Sequence, residues 1–307
     1  MAAAANTKTW TVLDLLRWTT QHFAERGIDT PRLDAECLLA HALGCDRLRL
    51  YVDFEKPVED AERARFRELV RERGQARVPV ALLVGSREFW SMPLAVTRDV
   101  LVPRPDTETL VAAALDAFPE REASFAVLDV GTGSGAIALA IARERPKALV
   151  VATDLSPAAL AVARGNAERL GLADRIRFGE GSLFEPVAAG GERFDLVVSN
   201  PPYVAERDAA SLAPELGHEP ATALFAGPDG TDVLRPLAEQ VADFLAPGGR
   251  VFVELDPAQA PRVAGWLAEA GLGEITTHRD AAGLVRVVGA RRETQTAEAV
   301  PSGERME

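Results

Sequence analysis

Asp129-Val130-Gly131-Thr132-Gly133-Ser134-Gly135 is the stretch on which the fold turns. Before it, Ala126–Val130 is an apolar run of strand length; after it, Ser134–Arg145 carries apolar residues at helical spacing. Glycines let the backbone turn tightly and approach a ligand with no Cβ in the way. The helix that follows offers unpaired N–H groups and the positive end of its dipole. A strand, a glycine-rich turn and a helix in that order predict the first unit of an open α/β sheet.

Downstream the alternation continues. Leu149–Thr153, Ile176–Phe178, Phe194–Ser199, Arg250–Leu255 and Leu284–Val288 read as strands. Pro157–Leu170, Asp232–Leu245 and Ala258–Ala270 read as helices between them. This pattern predicts a mainly parallel, doubly wound α/β sheet. Asp154 ends the second strand, beside the same crevice, where its carboxylate can accept both hydroxyls of a ribose. The loop alone leaves two cofactors open. Gly131, Gly133 and Ala136 satisfy a dinucleotide fingerprint with an acid about 20 residues on, and they equally suit S-adenosylmethionine.

The second decisive segment is Asp195-Leu196-Val197-Val198-Ser199-Asn200, a strand running into Pro201-Pro202-Tyr203. Ligands of open α/β sheets sit at the carboxyl ends of strands. Asn200 and Pro201 each precede a proline, which disfavours the helical region for both and holds the segment extended. It then projects the Asn200 side-chain oxygen, the Pro201 carbonyl and the Tyr203 ring. Such a set suits an NH2 on a planar carbon, whose lone pair is delocalised and weakly nucleophilic. Two acceptors, one per N–H, fix the nitrogen, and a ring packs on the planar group. No base needs to act first, because the nitrogen becomes acidic only once methylated. Asn200, Pro201 and Tyr203 are therefore the candidate catalytic residues, and Asn200 to Tyr203, Pro202 included, the candidate acceptor site.

Residues 10–84 read as a small helical bundle. Val12, Leu15, Leu16 and Phe23 form one helical stripe, a second helix stops at Gly44, and a charged third segment ends at Gly74. Residues 85–105 read as a hairpin-like connector stiffened by Pro103-Arg104-Pro105, residues 106–290 as the sheet domain, and 291–307 as a polar, disordered tail.

Of the 307 residues, 47% are hydrophobic and 26% charged, an ordinary globular balance. The formal net charge of −12 counts against a domain that tracks nucleic-acid phosphates. The first 84 residues are charge-balanced, so the acidic excess lies downstream. There is no apolar run of about 18 residues and no signal-peptide pattern, so a cytoplasmic protein without membrane contact is expected. Cys37 and Cys45 match no metal or redox spacing and read as reduced, packed thiols. The four histidines are scattered, so no metal site is expected. His41 reads as a helix-packing residue, and His218 and His278 as surface ones.

In combination these segments resemble the HemK/PrmC family of release-factor glutamine methyltransferases. The likeness runs through Pro31-Arg32-Leu33-Asp34-Ala35-Glu36, Arg87-Glu88-Phe89-Trp90, and Leu101 to Glu108. It continues through the glycine loop, Asn200–Tyr203, Glu219-Pro220 and Asp229-Gly230. Asn-Pro-Pro-Tyr is shared with adenine-N6 methyltransferases; the proline-arginine-proline segment and the helical domain are narrower. The resemblance implies a Rossmann-like class I methyltransferase sheet with a small N-terminal helical-bundle domain. It implies transfer from S-adenosylmethionine to the glutamine amide of the Gly-Gly-Gln loop of class I peptide release factors.

On this resemblance the cofactor loop falls on Gly131, Thr132, Gly133, Ser134 and Gly135, and the ribose acid on Asp154. The amide clamp falls on Asn200 and Pro201, with Tyr203 lining the glutamine pocket and the helical domain gripping the release factor. Three positions depart from the family pattern. Ser182 stands where an acid is usual, which leaves adenine to backbone amides and Leu183. Ser91 stands where a glycine commonly follows the aromatic pair, and Glu254-Leu255-Asp256-Pro257-Ala258-Gln259 replaces a Glu-Ile-Gly opening. A ribosomal-protein glutamine, an adenine of DNA or RNA, and a non-catalytic binding role remain as alternatives.

Overall fold

The computed structural model describes residues 9–294. Its first part is helical: α1 (Val12–Ala24), α2 (Pro31–Leu43), α3 (Arg47–Val52), α4 (Asp60–Gln75) and α5 (Val80–Val84). Thr11 starts α1 with a reciprocal capping box to Asp14. Pro31 opens α2, and Gly44, with φ of 62°, closes it in the left-handed conformation. Val12, Leu15, Leu16 and Phe23 all face the core of this domain, against Leu38, Leu39, Phe66 and Val70. Gly74 does not end the third segment, because α4 runs on to Gln75. It lies where α4 passes α1, and a Cβ there would meet the Phe23 ring and His22 at 3.5 Å.

A hairpin follows, β1 (Ser86–Phe89) and β2 (Met92–Ala95). Phe89, Met92 and Leu94 are buried in the same core cluster as Leu139 and Val198, so the connector is built into the sheet domain.

The sheet domain runs α6 (Glu108–Ala117), β3 (Ala126–Val130), α7 (Ala136–Glu144), β4 (Leu149–Asp154), α8 (Pro157–Arg169), β5 (Ile176–Glu180) and α9 (Glu185–Ala188). It continues through β6 (Phe194–Ser199), α10 (Leu234–Gln240), β7 (Leu245–Glu254), α11 (Ala260–Glu269), β8 (Leu272–Arg279) and β9 (Val285–Arg292). The seven strands lie in the order β5-β4-β3-β6-β7-β9-β8. The first five are parallel, whereas β9 pairs antiparallel with both β7 and β8. The chain winds outward from β3 to β5, then returns to β6 on the other side of β3. That reversal opens a crevice at the carboxyl ends of the central strands. Apolar clusters cover both sheet faces, one around Ile137, Leu139 and Ile141, the other around Leu234, Val263 and Leu267.

Three expectations change. The segment Asp232–Leu245 is not one helix: α10 ends at Gln240, and a single 3-10 turn, Val241–Asp243, leads into β7. Strand β8 carries no sequence signal, because it is an edge strand with five of its eight residues exposed and no polar alternation. Strand β9 continues to Arg292, two residues into the expected tail of 291–307, and residues 295–307 lie outside the described residues. Among the described residues no helix is long and apolar enough to cross a membrane. Cys37 and Cys45 are both free.

Candidate active site

The glycine loop leaves β3 and is held mainly by its own neighbourhood. The N–H groups of Gly131 and Thr132 both donate to the Thr153 carbonyl on β4 at 2.9 Å. Gly131, Gly133 and Gly135 have φ of 74°, 55° and 85°, which a residue with a Cβ adopts only with strain. A Cβ on Gly131 or Gly133 would meet no protein atom within 4 Å, so both glycines face open crevice. Gly135 differs: a Cβ there would press on Leu139 and Ala163 at 3.1 and 3.3 Å. It serves the packing of α7 on α8 and does not line the crevice.

Asp129, at the base of the loop, is fully buried. Its Oδ2 accepts from Thr132 Oγ1 at 2.7 Å and from the Ala138 N–H at 3.1 Å. Burial lifts its carboxyl to about 7, although those two hydrogen bonds pull the other way. Asp154 projects from the end of β4 into the crevice. Its Oδ2 accepts from the Gly133 N–H at 2.8 Å and its Oδ1 from the Ser156 N–H at 2.9 Å, which fixes the carboxylate with further lone pairs toward the opening. Asn166 escaped sequence reasoning. Buried on α8, it donates to the carbonyls of Ser134 and Ala95, tying the loop to the hairpin.

Gly181, Ser182 and Leu183 form the far edge of this half of the crevice. The Ser182 N–H is occupied by Glu185 Oε2 at 3.0 Å, so it is not free for a ligand. Leu183 holds φ of 47°, a left-handed conformation that costs about 1–2 kcal/mol for a residue with a side chain.

Across the crevice, Asn200, Pro201 and Pro202 line the opposite wall after β6. Ser199 Oγ donates to the Val130 carbonyl at 2.7 Å, locking the ends of β6 and β3 together. Asn200 Nδ2 donates to Thr107 Oγ1 at 3.1 Å. Tyr203 departs from expectation. It is not among the residues lining the crevice; it packs half-buried against the second core cluster and faces Glu254. Burial, with the Glu254 carboxyl beside it, pushes its phenol well above the usual range. Glu254 closes β7, and burial lifts it to about 7, against the Thr107 hydroxyl, the Arg286 charge and the Tyr203 hydroxyl, which lower it.

The backbone after the motif is pinned from behind. Gln259 Nε2 donates to the carbonyls of Tyr203 (3.0 Å) and Gly230 (2.9 Å), so the departure Asp256–Gln259 supports the motif. Gly230 has φ of 69°, and a Cβ there would lie 2.2 Å from the Tyr203 carbonyl oxygen. Further on, buried Glu219 accepts from the Val102 N–H at 2.9 Å and from Arg104 at 2.5 Å. That brings Pro103, Arg104 and Thr107 to the crevice rim.

The same loop meets the helical domain. Arg73, itself buried, joins Asp34 and Glu215, both at 2.7 Å, and Arg77 also pairs with Glu215. Burial pushes Glu215 up, but Arg73 and Arg77 outweigh it and hold the carboxyl below its ordinary value. His218 is not simply at the surface: its Nε2 lies 2.7 Å from the Ala76 carbonyl and must carry the hydrogen. His41, expected to pack, is exposed.

The two walls enclose about 550 Å³, room for a nucleoside-sized cofactor and one acceptor side chain.

Residues 14–85 match the PrmC N-terminal domain, and residues 107–230 match the methyltransferase small domain. A release factor glutamine methyltransferase of Rhodopirellula baltica is 45% identical over 298 residues, covering 95% of this chain and 100% of that protein. One of Geobacter sulfurreducens is 44% identical over 92% of this chain and 97% of its own length. Among solved structures, a Thermus thermophilus 16S rRNA N2 G1207 methyltransferase, in complex with AdoMet and guanosine, shares the fold with a TM-score of 0.50 at 23% identity. It covers 68% of this chain and 50% of that one. The chain is a methyltransferase and belongs to the release factor glutamine methyltransferase family.

Proposed function

We propose that this chain transfers a methyl group from S-adenosylmethionine to the side-chain amide nitrogen of a glutamine in class I peptide release factors. The glutamine is the one in their Gly-Gly-Gln loop. The observation that carries this reading is the pairing of two walls in one crevice. One is a glycine loop whose Cβ positions are open; the other is an extended Asn-Pro-Pro segment at the neighbouring strand end. Relatives about 45% identical over nearly the whole chain bear the corresponding name.

Gly131, Thr132, Gly133 and Ser134 would hold the cofactor's methionine and ribose portions, Asp154 the ribose hydroxyls, and Leu183 the adenine face. Gly135 and Ser182 serve the shape of this wall. S-adenosylmethionine supplies an electrophilic methyl on a sulfonium. The Asn200 oxygen and the Pro201 carbonyl each accept one N–H of the glutamine amide. They hold its nitrogen in line with the methyl and raise its electron density as it attacks. The N–CH3 bond forms as the S–CH3 bond breaks, leaving S-adenosylhomocysteine. The methylated nitrogen is then acidic and gives its extra proton to water. Tyr203 supports this wall from behind. The helical domain, clasped to the loop after the motif through Glu215 and His218, docks the release factor, and the reaction belongs to the cytoplasm.

The test is incubation of the full chain with methyl-labelled S-adenosylmethionine and purified class I release factor, followed by mass spectrometry of the Gly-Gly-Gln peptide. A single methyl on that glutamine is expected. Label on a ribosomal protein or on DNA, with none on that peptide, overturns the assignment.

A further inference from the structure

Pro201 and Pro202 carry no N–H, and their rings fix φ, so the direction of the Pro201 carbonyl depends on how the two ends of the segment are held. The sheet holds the upstream end. Strand β6 pairs with β3 and β7, and Ser199 Oγ donates to the Val130 carbonyl at 2.7 Å. The downstream end is held twice. The Val204 N–H donates to the Leu224 carbonyl at 2.9 Å, and the Val204 carbonyl accepts from the Ala226 N–H at 3.0 Å. Gln259 supplies the other hold, on Tyr203 itself.

Gln259 ends the turn Pro257–Gln259 that follows β7, and its side chain is buried. Its Nε2 donates to the Tyr203 carbonyl at 3.0 Å and to the Gly230 carbonyl at 2.9 Å. Its Oε1 accepts from the Asp256 N–H at 3.2 Å. A carbonyl only accepts and a backbone N–H only donates, so these three contacts leave the amide one orientation. Both hydrogens of the NH2 are spent on two strands of backbone. Those strands approach closely, because a Cβ on Gly230 would lie 2.2 Å from the Tyr203 carbonyl oxygen. The Gly230 turn leads on to Asp232 and Val233, which line the crevice. One amide therefore joins the end of the Asn-Pro-Pro segment to the neighbouring rim.

We infer that Gln259 is a positioning residue for methyl transfer: by joining the Tyr203 and Gly230 carbonyls it fixes the direction of the Pro201 carbonyl toward the acceptor nitrogen. This rests on the methyl-transfer reading above. Gln259 is not among the residues lining the crevice, so it acts only through the backbone that it holds.

Two variants probe the amide. Gln259→Met keeps the length and loses both donors; Gln259→Glu keeps the shape and turns an oxygen toward two carbonyl oxygens. Calorimetric titration with S-adenosylmethionine gives the Kd and the number of binding sites, and kcat is counted per site. A partly unfolded sample then loses sites and not kcat. Gln259→Met is expected to lower kcat about tenfold and Gln259→Glu about thirtyfold, the scale of a reacting partner displaced by a fraction of an ångström. The cofactor Kd of both should hold within about twofold, because the glycine loop lies across the crevice. Wild-type kcat per site in Gln259→Met, or a Kd that rises as much as kcat falls, overturns the positioning role. Should one variant not fold, the other must show the split between kcat and Kd; if neither folds, Gln259 is a structural strut and the role falls. Wild type and Asn200→Ala run alongside keep the failures apart. With wild type active and Asn200→Ala inactive, full turnover in Gln259→Met removes the positioning alone. A wild type that leaves the release-factor glutamine unmethylated removes the reading beneath it, and the proposal with it.

Discussion

The two walls of the crevice are built in opposite ways. The wall proposed to hold the cofactor is a piece of backbone held by near neighbours: Thr132 on Asp129 three residues away, Ala138 on Asp129 nine away, Gly133 on Asp154 twenty-one away. The wall proposed to hold the acceptor is held by side chains from far along the chain. Asn200 reaches Thr107 across 93 residues, Tyr203 is tied by Gln259 across 56, and Glu219 anchors Val102 across 117. The first wall depends on glycine conformations, the second on individual partners. Damage to the first should therefore appear as lost cofactor affinity, and damage to the second as lost turnover.

The largest effect is expected from Asn200→Ala. With one of two acceptors gone, kcat should fall about 10²–10³-fold, while the cofactor Kd, set across the crevice, moves far less. A variant with wild-type turnover would remove Asn200 from the clamp. Next comes Gly230→Ala. Its Cβ would lie 2.2 Å from the Tyr203 carbonyl oxygen and 2.9 Å from the Ala205 nitrogen, at φ of 69°. Backbone must move, so the unfolding free energy should drop by about 3 kcal/mol, from overpacking and left-handed strain together. kcat should fall with it as Tyr203 and the preceding prolines shift. Chemical denaturation and steady-state kinetics on one sample check both, and an unperturbed protein would mean that this wall is softer than its contacts imply.

How much could be read beforehand follows the same division. The cofactor wall is legible, because strand, glycines and helix are contiguous and the acid at the next strand end is a local signal. The acceptor tetrapeptide is legible too, since Pro201 and Pro202 restrict their own neighbours. Its supports are not. Nothing in the neighbourhood of Thr107 or Gln259 says that each will meet the motif, nor in that of Glu219 that it will anchor Val102 and Arg104; only the closed sheet brings them there. Tyr203 illustrates this: a ring after Pro-Pro can face the crevice or the core, and only the closed fold shows it packed against the second apolar cluster. Strand β8 leaves no mark in the sequence, because a polar edge strand buries too little to imprint a period. The contact of His218 leaves no local mark either, because its partner, the Ala76 carbonyl, lies 142 residues away.

Gly133→Ala is the counterpart of Gly230→Ala on the other wall. It has the same kind of positive φ, yet no protein atom lies within 4 Å of the added Cβ. The fold should lose only the strain of a left-handed alanine, about 1 kcal/mol. On the proposed reading the added methyl enters the cofactor's space, and the S-adenosylmethionine Kd should rise about tenfold or more, equivalent to about 1.4 kcal/mol. Calorimetric titration gives the Kd and thermal unfolding the stability. Were the Kd unchanged, the open space over Gly133 would not be the cofactor's seat.

The smallest effect comes from the frame that both walls share. Trp90 and Ser91 turn the β1–β2 hairpin with φ of 49° and 53°, a conformation that suits glycine far better than serine. The turn is retained by its backbone: the Trp90 N–H donates to Glu108, and the Ser91 carbonyl accepts from Arg143. The Ser91 side chain is exposed, so Ser91→Gly removes strain without removing a packed group. The relief of about 1–2 kcal/mol is partly offset by about 0.5–1 kcal/mol of extra chain entropy in the unfolded state. A net gain of about 0.5–1 kcal/mol, a melting point roughly 2 °C higher, is expected. Because the hairpin lies under both walls and inside neither, kcat and the cofactor Kd should both stay at wild-type values. A shift in Kd alone would mean that the hairpin acts on the cofactor loop through Asn166, which bonds to both Ala95 and Ser134. The frame would then belong to the cofactor wall.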